Sequence, residues 1–114
     1  MANLTNYANT DIFTTVTIAS GAGTATQDLH GTRLIAVKFP ATMTNTVFDI
    51  ERSEDSGATW GKIYTDAGVK KTVTVVSGWA DLDPSDAYSL NGFIRLNGSN
   101  EGAERTLIFK TRPL

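Results

Sequence analysis

Periodicity is the feature that most limits what this chain can become. Its apolar residues recur at every second position in short runs, and Gly, Asn or Asp interrupts each run before it lengthens. The clearest run is Ile12 to Ala19. Ile12, Thr14, Val16 and Ile18 fall on one face, and Phe13, Thr15, Thr17 and Ala19 on the other. A period of two sends alternate side chains to opposite faces of a pleated strand. Arg33 to Phe39 repeats the pattern, with Ile35, Val37 and Phe39 on one face and Leu34, Ala36 and Lys38 on the other. Pro40 ends it, because proline cannot donate to a strand ladder. No stretch keeps a 3.6-residue apolar period through three turns, so no helix has a stripe with which to build a core.

Taken in order, the chain opens with a polar arm, residues 1–11, in which Leu4 and Tyr7 could dock on a neighbour. After the first strand, Ser20-Gly21-Ala22-Gly23 turns, and Thr24 to Leu29 forms a short strand broken by His30-Gly31. Thr46 to Ser53 places Phe48 and Ile50 inward and Asp49 and Glu51 outward, with Trp60 to Tyr64 as its hairpin partner. Thr72 to Val76, Phe93 to Asn97 and Arg105 to Thr111 are further strands. Leu82 to Asp86 predicts one helical turn near 84–88, with Asp83 as its cap, Pro84 as its first residue and Asp86 facing the free N–H groups. The expected fold is all-β: a single domain over residues 12–114, of about seven to eight short strands. A two-sheet antiparallel β-sandwich, jelly-roll or immunoglobulin-like, fits this pattern, as does a small closed barrel.

The totals exclude several function classes. A net charge of −2 exerts no general pull on nucleic acid or on an anionic membrane. The absence of cysteine removes disulfides, thiolate nucleophiles and zinc–thiolate sites. The first residues lack the basic and apolar regions of a secretory signal, and no apolar run approaches the ~20 residues that span a bilayer.

The residues that could carry chemistry are few. Asp81, Asp83 and Asp86 raise the question of a calcium loop, but Leu82 and Pro84 occupy intervening positions and no glycine or distal glutamate follows. A helix cap accounts for Asp83, Pro84 and Asp86 without a metal. Glu54 and Asp55 are adjacent, so on a strand they face opposite ways and cannot converge on a glycosidic bond. His30, the sole histidine, lies at a turn with no G-x-S-x-G elbow to serve. Arg33, Arg52, Arg95 and Arg105 occupy strand positions or ends, where each can pair with a carboxylate of its own sheet or reach an acidic partner. The expectation is a protein without catalytic residues, cofactor or metal.

Ser53-Glu54-Asp55-Ser56-Gly57-Ala58-Thr59-Trp60 is the most distinctive stretch. Asp55 can accept backbone N–H groups across a turn, Gly57 can supply a positive φ, and Trp60 can cover the hairpin. The spacing of Ser53, Asp55, Gly57, Thr59 and Trp60 resembles the Asp-box of sialidases and other β-propellers. There it recurs once per blade; here it occurs once, in a chain too short for a propeller. It is therefore read as a structural hairpin.

The order of motifs carries a wider resemblance. Phe48 to Trp60 is followed by Ile63-Tyr64, Asp66-Ala67-Gly68, Leu82-Asp83-Pro84, Phe93-Ile94-Arg95-Leu96, Gly98-Ser99 and Glu104-Arg105-Thr106-Leu107. This resembles a family of small tailed-phage capsid decoration (cement) proteins over roughly residues 33–112. Two positions depart from it: Ser56 stands where glycine is usual, and Phe93 where Trp or Tyr is common. The resemblance implies a virion protein on the capsid exterior, assembled in the host cytoplasm, that binds the major capsid protein and itself as a homodimer or homotrimer. Nucleic acid and membrane are not implied partners. The same fold would serve a tail or neck component, or a module for host surface glycans in which Trp60, Trp79 and Tyr88 share one face. The expected capsid contacts are Leu4, Tyr7 and Asn9 of the arm, with Gln27, His30 and Arg33 in the 20–32 region and just after it.

Overall fold

The computed structural model describes residues 11–82 and 90–114. It contains eight strands: β1 (Ile12–Ile18), β2 (Thr24–Phe39), β3 (Val47–Ser53), β4 (Gly61–Lys62), β5 (Thr72–Thr74), β6 (Gly78–Asp81), β7 (Asn91–Asn97) and β8 (Arg105–Pro113). The fold is all-β, with no helix among the described residues. The helical turn expected near 84–88, with Asp83, Pro84 and Asp86, lies outside the described residues, as do residues 1–10 of the expected arm. Every pairing is antiparallel. The strands join in one hydrogen-bonded sheet in the order β1-β8-β2-β7-β3-β4, with β5 paired to β3 and β6 to β2.

The long strand β2 replaces the two short ones expected on either side of His30-Gly31. Its first half pairs with β7, from Thr24↔Asn97 to Asp28↔Phe93. Its second half pairs with β8 from Thr32↔Pro113 to Lys38↔Ile108, and with β6 from Ala36↔Asp81 to Phe39↔Gly78. The pairing register shifts between Asp28 and Arg33, around Gly31 at a φ of 75°. Glycine there marks a change of partner and not an end of strand, because a bulge bends a strand and redirects its pairing. Local bonds fix the bend: the His30 N–H donates to Asp28 Oδ1 at 3.0 Å, and the Leu114 N–H donates to the Gly31 carbonyl at 3.1 Å.

A second register shift, between Leu34 and Ala36, corrects the expected facing. One extra residue reverses a period of two. Leu34 is therefore buried together with Val37 and Phe39, and Ile35 is only half-buried. The other differences are at the edges. Trp60 to Tyr64 contracts to β4 and an isolated bridge, Tyr64↔Lys70, while β6 forms where only a turn was expected.

The core draws Val16 and Ile18 from β1, Leu107 and Phe109 from β8, Ile94 and Leu96 from β7 and Phe48 and Ile50 from β3 into one cluster. These strands reach from one end of the order almost to the other, so the sheet curls over a shared interior. Phe39 and Phe48 stack inside it, ring centroids 6.0 Å apart.

One end of this interior is closed by a buried carboxylate. Glu101 is 1% exposed. Its Oε1 accepts the Thr44 N–H at 2.7 Å and Arg105 Nε at 2.9 Å, and its Oε2 accepts the Asn45 N–H at 2.9 Å and the Asn45 side-chain amide. Asn45 extends the link by donating to the Ser99 carbonyl at 2.7 Å and accepting the Ser99 N–H at 2.7 Å. The Glu101 backbone bonds the first turn, donating to the Ala22 carbonyl at 2.8 Å and accepting the Gly21 N–H at 2.9 Å. The loops before β2, β3 and β8, remote in sequence, thus meet on one residue, the first through its backbone and the second through its side chain.

Burial alone would push the Glu101 carboxyl up. The Thr44 N–H, Arg105, the Asn45 amide and the Asn45 N–H outweigh it and hold the group down to about 2. The folded value lies below the ordinary 4.5, so this contribution is complete above 4.5 and is lost as pH falls toward about 2. Glu101→Gln should cost about 3 kcal/mol near neutral pH, because Arg105 and two N–H groups lose their anion. It should also flatten the acid limb of the Tm–pH profile, which thermal melts of both proteins across that window would measure.

Candidate binding surface

The Ser53–Trp60 hairpin forms as the residue types require. Asp55 Oδ1 accepts the Ser53 hydroxyl at 2.7 Å and the Thr59 N–H at 2.8 Å, and its Oδ2 accepts the Thr59 hydroxyl. Ser53 Oγ in turn accepts the Gly57 N–H at 2.8 Å. The Thr59 hydroxyl, the Ser53 hydroxyl and the Thr59 N–H hold the Asp55 carboxyl down to about 2. Gly57 sits at a φ of 96° and Ser56 at 58°, both in the left-handed region. Ser53, Asp55, Gly57 and Thr59 therefore act as one knot, with Trp60 beside it. Trp60 itself is half-buried, under the Arg95 guanidinium at 4.6 Å from the ring centroid. It is not a core aromatic, and its truncation should cost less than the ~3–5 kcal/mol of a fully buried ring.

Arg95 connects the hairpin to a charged row across β7, β3 and β4. In register, Glu51 faces Arg95 on one side and Lys62 on the other. Its carboxylate accepts Arg95 Nε at 2.7 Å, Lys62 Nζ at 2.8 Å and Asn97 Nδ2 at 3.1 Å. Burial opposes its ionisation most strongly, but Lys62, Asn97 and Arg95 together leave its pKa lowered. Lys62 also holds Asp49 at 2.9 Å, where Lys70 joins at 3.2 Å, and Lys62 is the main cause of Asp49's lowered pKa. Arg95 thus pairs with Glu51 of its own sheet, the first of the two roles open to it in the sequence, and Arg105 pairs with Glu101 of the loop that precedes β8.

Beside this row lies an open depression of about 500 Å³, lined by Arg52, Glu54, Thr59, Trp60, Lys62 and Tyr64. Tyr64 is 53% exposed, so the depression has two aromatics in its lining.

A second aromatic feature lies on the other part of the sheet. Phe13 of β1 is 59% exposed and Trp79 of β6 is 42% exposed, and their rings meet edge to face at 5.9 Å. Lys110 Nζ stands 5.9 Å from the Phe13 ring. The two rings reach toward each other across β8 and β2. Trp79 therefore belongs to a strand and not to a turn. The single face expected for Trp60, Trp79 and Tyr88 is not seen: Trp60 packs on β7, Trp79 packs on β1, and Tyr88 lies outside the described residues.

The expected capsid contacts are only partly placed. Leu4, Tyr7 and Asn9 lie outside the described residues. Gln27, His30 and Arg33 all lie on β2 without converging. Gln27 is half-buried in line with Ala25 and Leu29, His30 is exposed in the bulge, and Arg33 is half-buried beyond it. Asp81 is exposed on β6, and Asp83 and Asp86 lie outside the described residues. Among the described residues, no three His, Cys, Asp or Glu side chains gather as a metal site would require. Sequence reasoning missed Phe13 as a surface residue. The available signal was its position as the one bulky residue on a face otherwise made of Thr and Ala.

No family model matches this sequence, and no curated protein matches it. A solved structure that overlaps it is the crystal structure of the Yersinia pseudotuberculosis-derived mitogen, with 14% identity across 93% of this chain and 87% of that one. Its TM-score of 0.33 is too low to carry an argument.

Ser56 gives the hairpin a direct test. A non-glycine residue in the left-handed region costs about 1 kcal/mol or more, part of which glycine's greater unfolded-state entropy offsets. Ser56→Gly should therefore raise stability by about 0.5 kcal/mol in chemical denaturation.

Proposed function

We propose that this chain is a virion structural protein, a decoration protein that binds the major capsid protein on the outside of a tailed-phage head and stabilises capsomer contacts. The order of motifs from Phe48 to Leu107 suggests the family. The observation that carries the reading is the exposed Phe13–Trp79 pair with Lys110 beside it. Aromatic anchors with a cation at the margin make a composition typical of protein-binding hot spots. Weak contacts of this kind, repeated over a shell, sum through avidity. The internal pairing of Glu51, Asp49 and Glu101 suits a scaffold whose polar groups serve stability.

The finer fold reading is a two-sheet sandwich. One sheet would be β1, β8, the second half of β2 and β6; the other would be the first half of β2, β7, β3, β4 and β5. The transfer of β2 from β7 to β8 and β6 supports it, since strands that change sheets do so at bulges.

Purified protein should co-sediment with matured empty heads, and Phe13→Ser with Trp79→Ala should abolish this while the circular dichroism spectrum is kept. Absence of binding to heads would reject the reading, and cryo-EM of the particle distinguishes head from tail or neck.

A second reading follows from the depression lined by Trp60 and Tyr64. Aromatic rings beside Arg52, Glu54 and Thr59 offer stacking and hydrogen bonding of the kind sugars use. Host surface glycans should then shift tryptophan fluorescence in wild type but not in Trp60→Phe. A panel that leaves the wild-type signal unmoved counts against it.

A further inference from the structure

A sheet edge exposes unpaired N–H and C=O groups, and proteins blunt such edges with short strands, charge, proline or bulges. Three edge strands here are blunted by length: β4 has two residues, β5 three and β6 four. The fourth, β1, is not. It runs seven residues, Ile-Phe-Thr-Thr-Val-Thr-Ile, without a charge, proline or glycine. Its register with β8 is unbroken from Ile12↔Thr111 to Ile18↔Arg105, so no bulge twists it away. Among the described residues, no strand pairs with its outer side.

We infer that β1 is the seat of a two-fold homodimer, in which it pairs antiparallel with β1 of a second copy about an axis at Thr15. In that register Thr15 faces Thr15, Thr14 faces Val16, Phe13 faces Thr17 and Ile12 faces Ile18. Every pair joins β-branched or aromatic partners, the favoured cross-strand combinations. The parity is also right. Thr14, Val16 and Ile18, of which the last two are buried, keep to the same side of the joined sheet in both copies. No like charges meet. Asp11 falls opposite Ala19 and is already held by Arg112 at 2.8 Å and Lys110 at 3.5 Å.

Self-complementarity is what points to a second copy. β1 carries no charge that would repel its own image, and in this register its sequence matches itself residue for residue. An isologous pairing also closes at two copies, which removes the edge without forming an open chain. The inference is independent of whether the protein belongs to a phage head.

Thr15 is exposed, so substitutions there leave the core intact. Light scattering after gel filtration at about 100 µM should give a dimer, since association depends on protomer concentration. Thr15→Lys, which sets two like charges face to face, should give a monomer with an unchanged far-UV spectrum. The chain has no cysteine, so single thiols report position. A short thiol cross-linker should join Thr15→Cys at least about tenfold faster than Thr17→Cys, whose two copies lie about 14 Å apart in this register. A monomeric wild type, a dimer that survives Thr15→Lys, or equal cross-linking at the two positions would each overturn the proposal.

Discussion

The carboxylate of Glu101 is the interaction on which this end of the fold depends. A buried anion is tolerated only when its oxygens are saturated by donors, and these donors come from two distant stretches: Thr44 and Asn45 before β3, and Arg105 at the start of β8. The loops are drawn close enough to dictate composition. A Cβ on Gly23 would lie 2.4 Å from the Gly98 carbonyl oxygen, and one on Gly98 would lie 2.5 Å from Asn45 Oδ1 and 2.9 Å from Phe48 Cδ1. Phe48 stacks on Phe39. Polar clasp and apolar core therefore share a wall, and loosening one disturbs the other.

The distribution of charge follows a similar economy on the outer face. Glu51 and Asp49 gather Lys62, Lys70, Arg95 and Asn97 into one network. That network fixes the register of β3 between β7 and β4, and Arg95 carries it to Trp60 and the hairpin. Among the described residues, the exposed aromatic and uncharged features include the Phe13–Trp79 pair, the edge of β1 and the shallow ground lined by Trp60 and Tyr64. This is why the functional proposals rest on apolar and aromatic surface.

Much of the architecture was legible because period-two patterning is local. Ile12–Ala19, Thr46–Ser53 and Arg105–Thr111 each declare a strand from their own residues, Thr46–Ser53 also its inward face, and the hairpin from Ser53 to Thr59 forms from contacts four residues apart or fewer. What could not be read was non-local. The partners on either side of His30-Gly31 decide whether it ends a strand or bends one. One extra residue near Ile35 reverses the facing, and only β8 reveals it. Glu101 sits among Asn100, Gly102 and Ala103 in what reads as a solvated loop. Its burial depends on Asn45, fifty-six residues earlier. Trp60 could be expected to cover the hairpin, but its Arg95 partner on β7 was not legible from the hairpin's own residues.

Amide hydrogen exchange at Thr44 and Asn45 tests the central claim most directly. If the Glu101 carboxylate locks the Thr44–Asn45 loop to the core, both amides exchange only with global unfolding, at the rate of the strand interior at Ile50 and Leu96. Exchange at the rate of open loop amides, with Ile50 and Leu96 still protected, would contradict it.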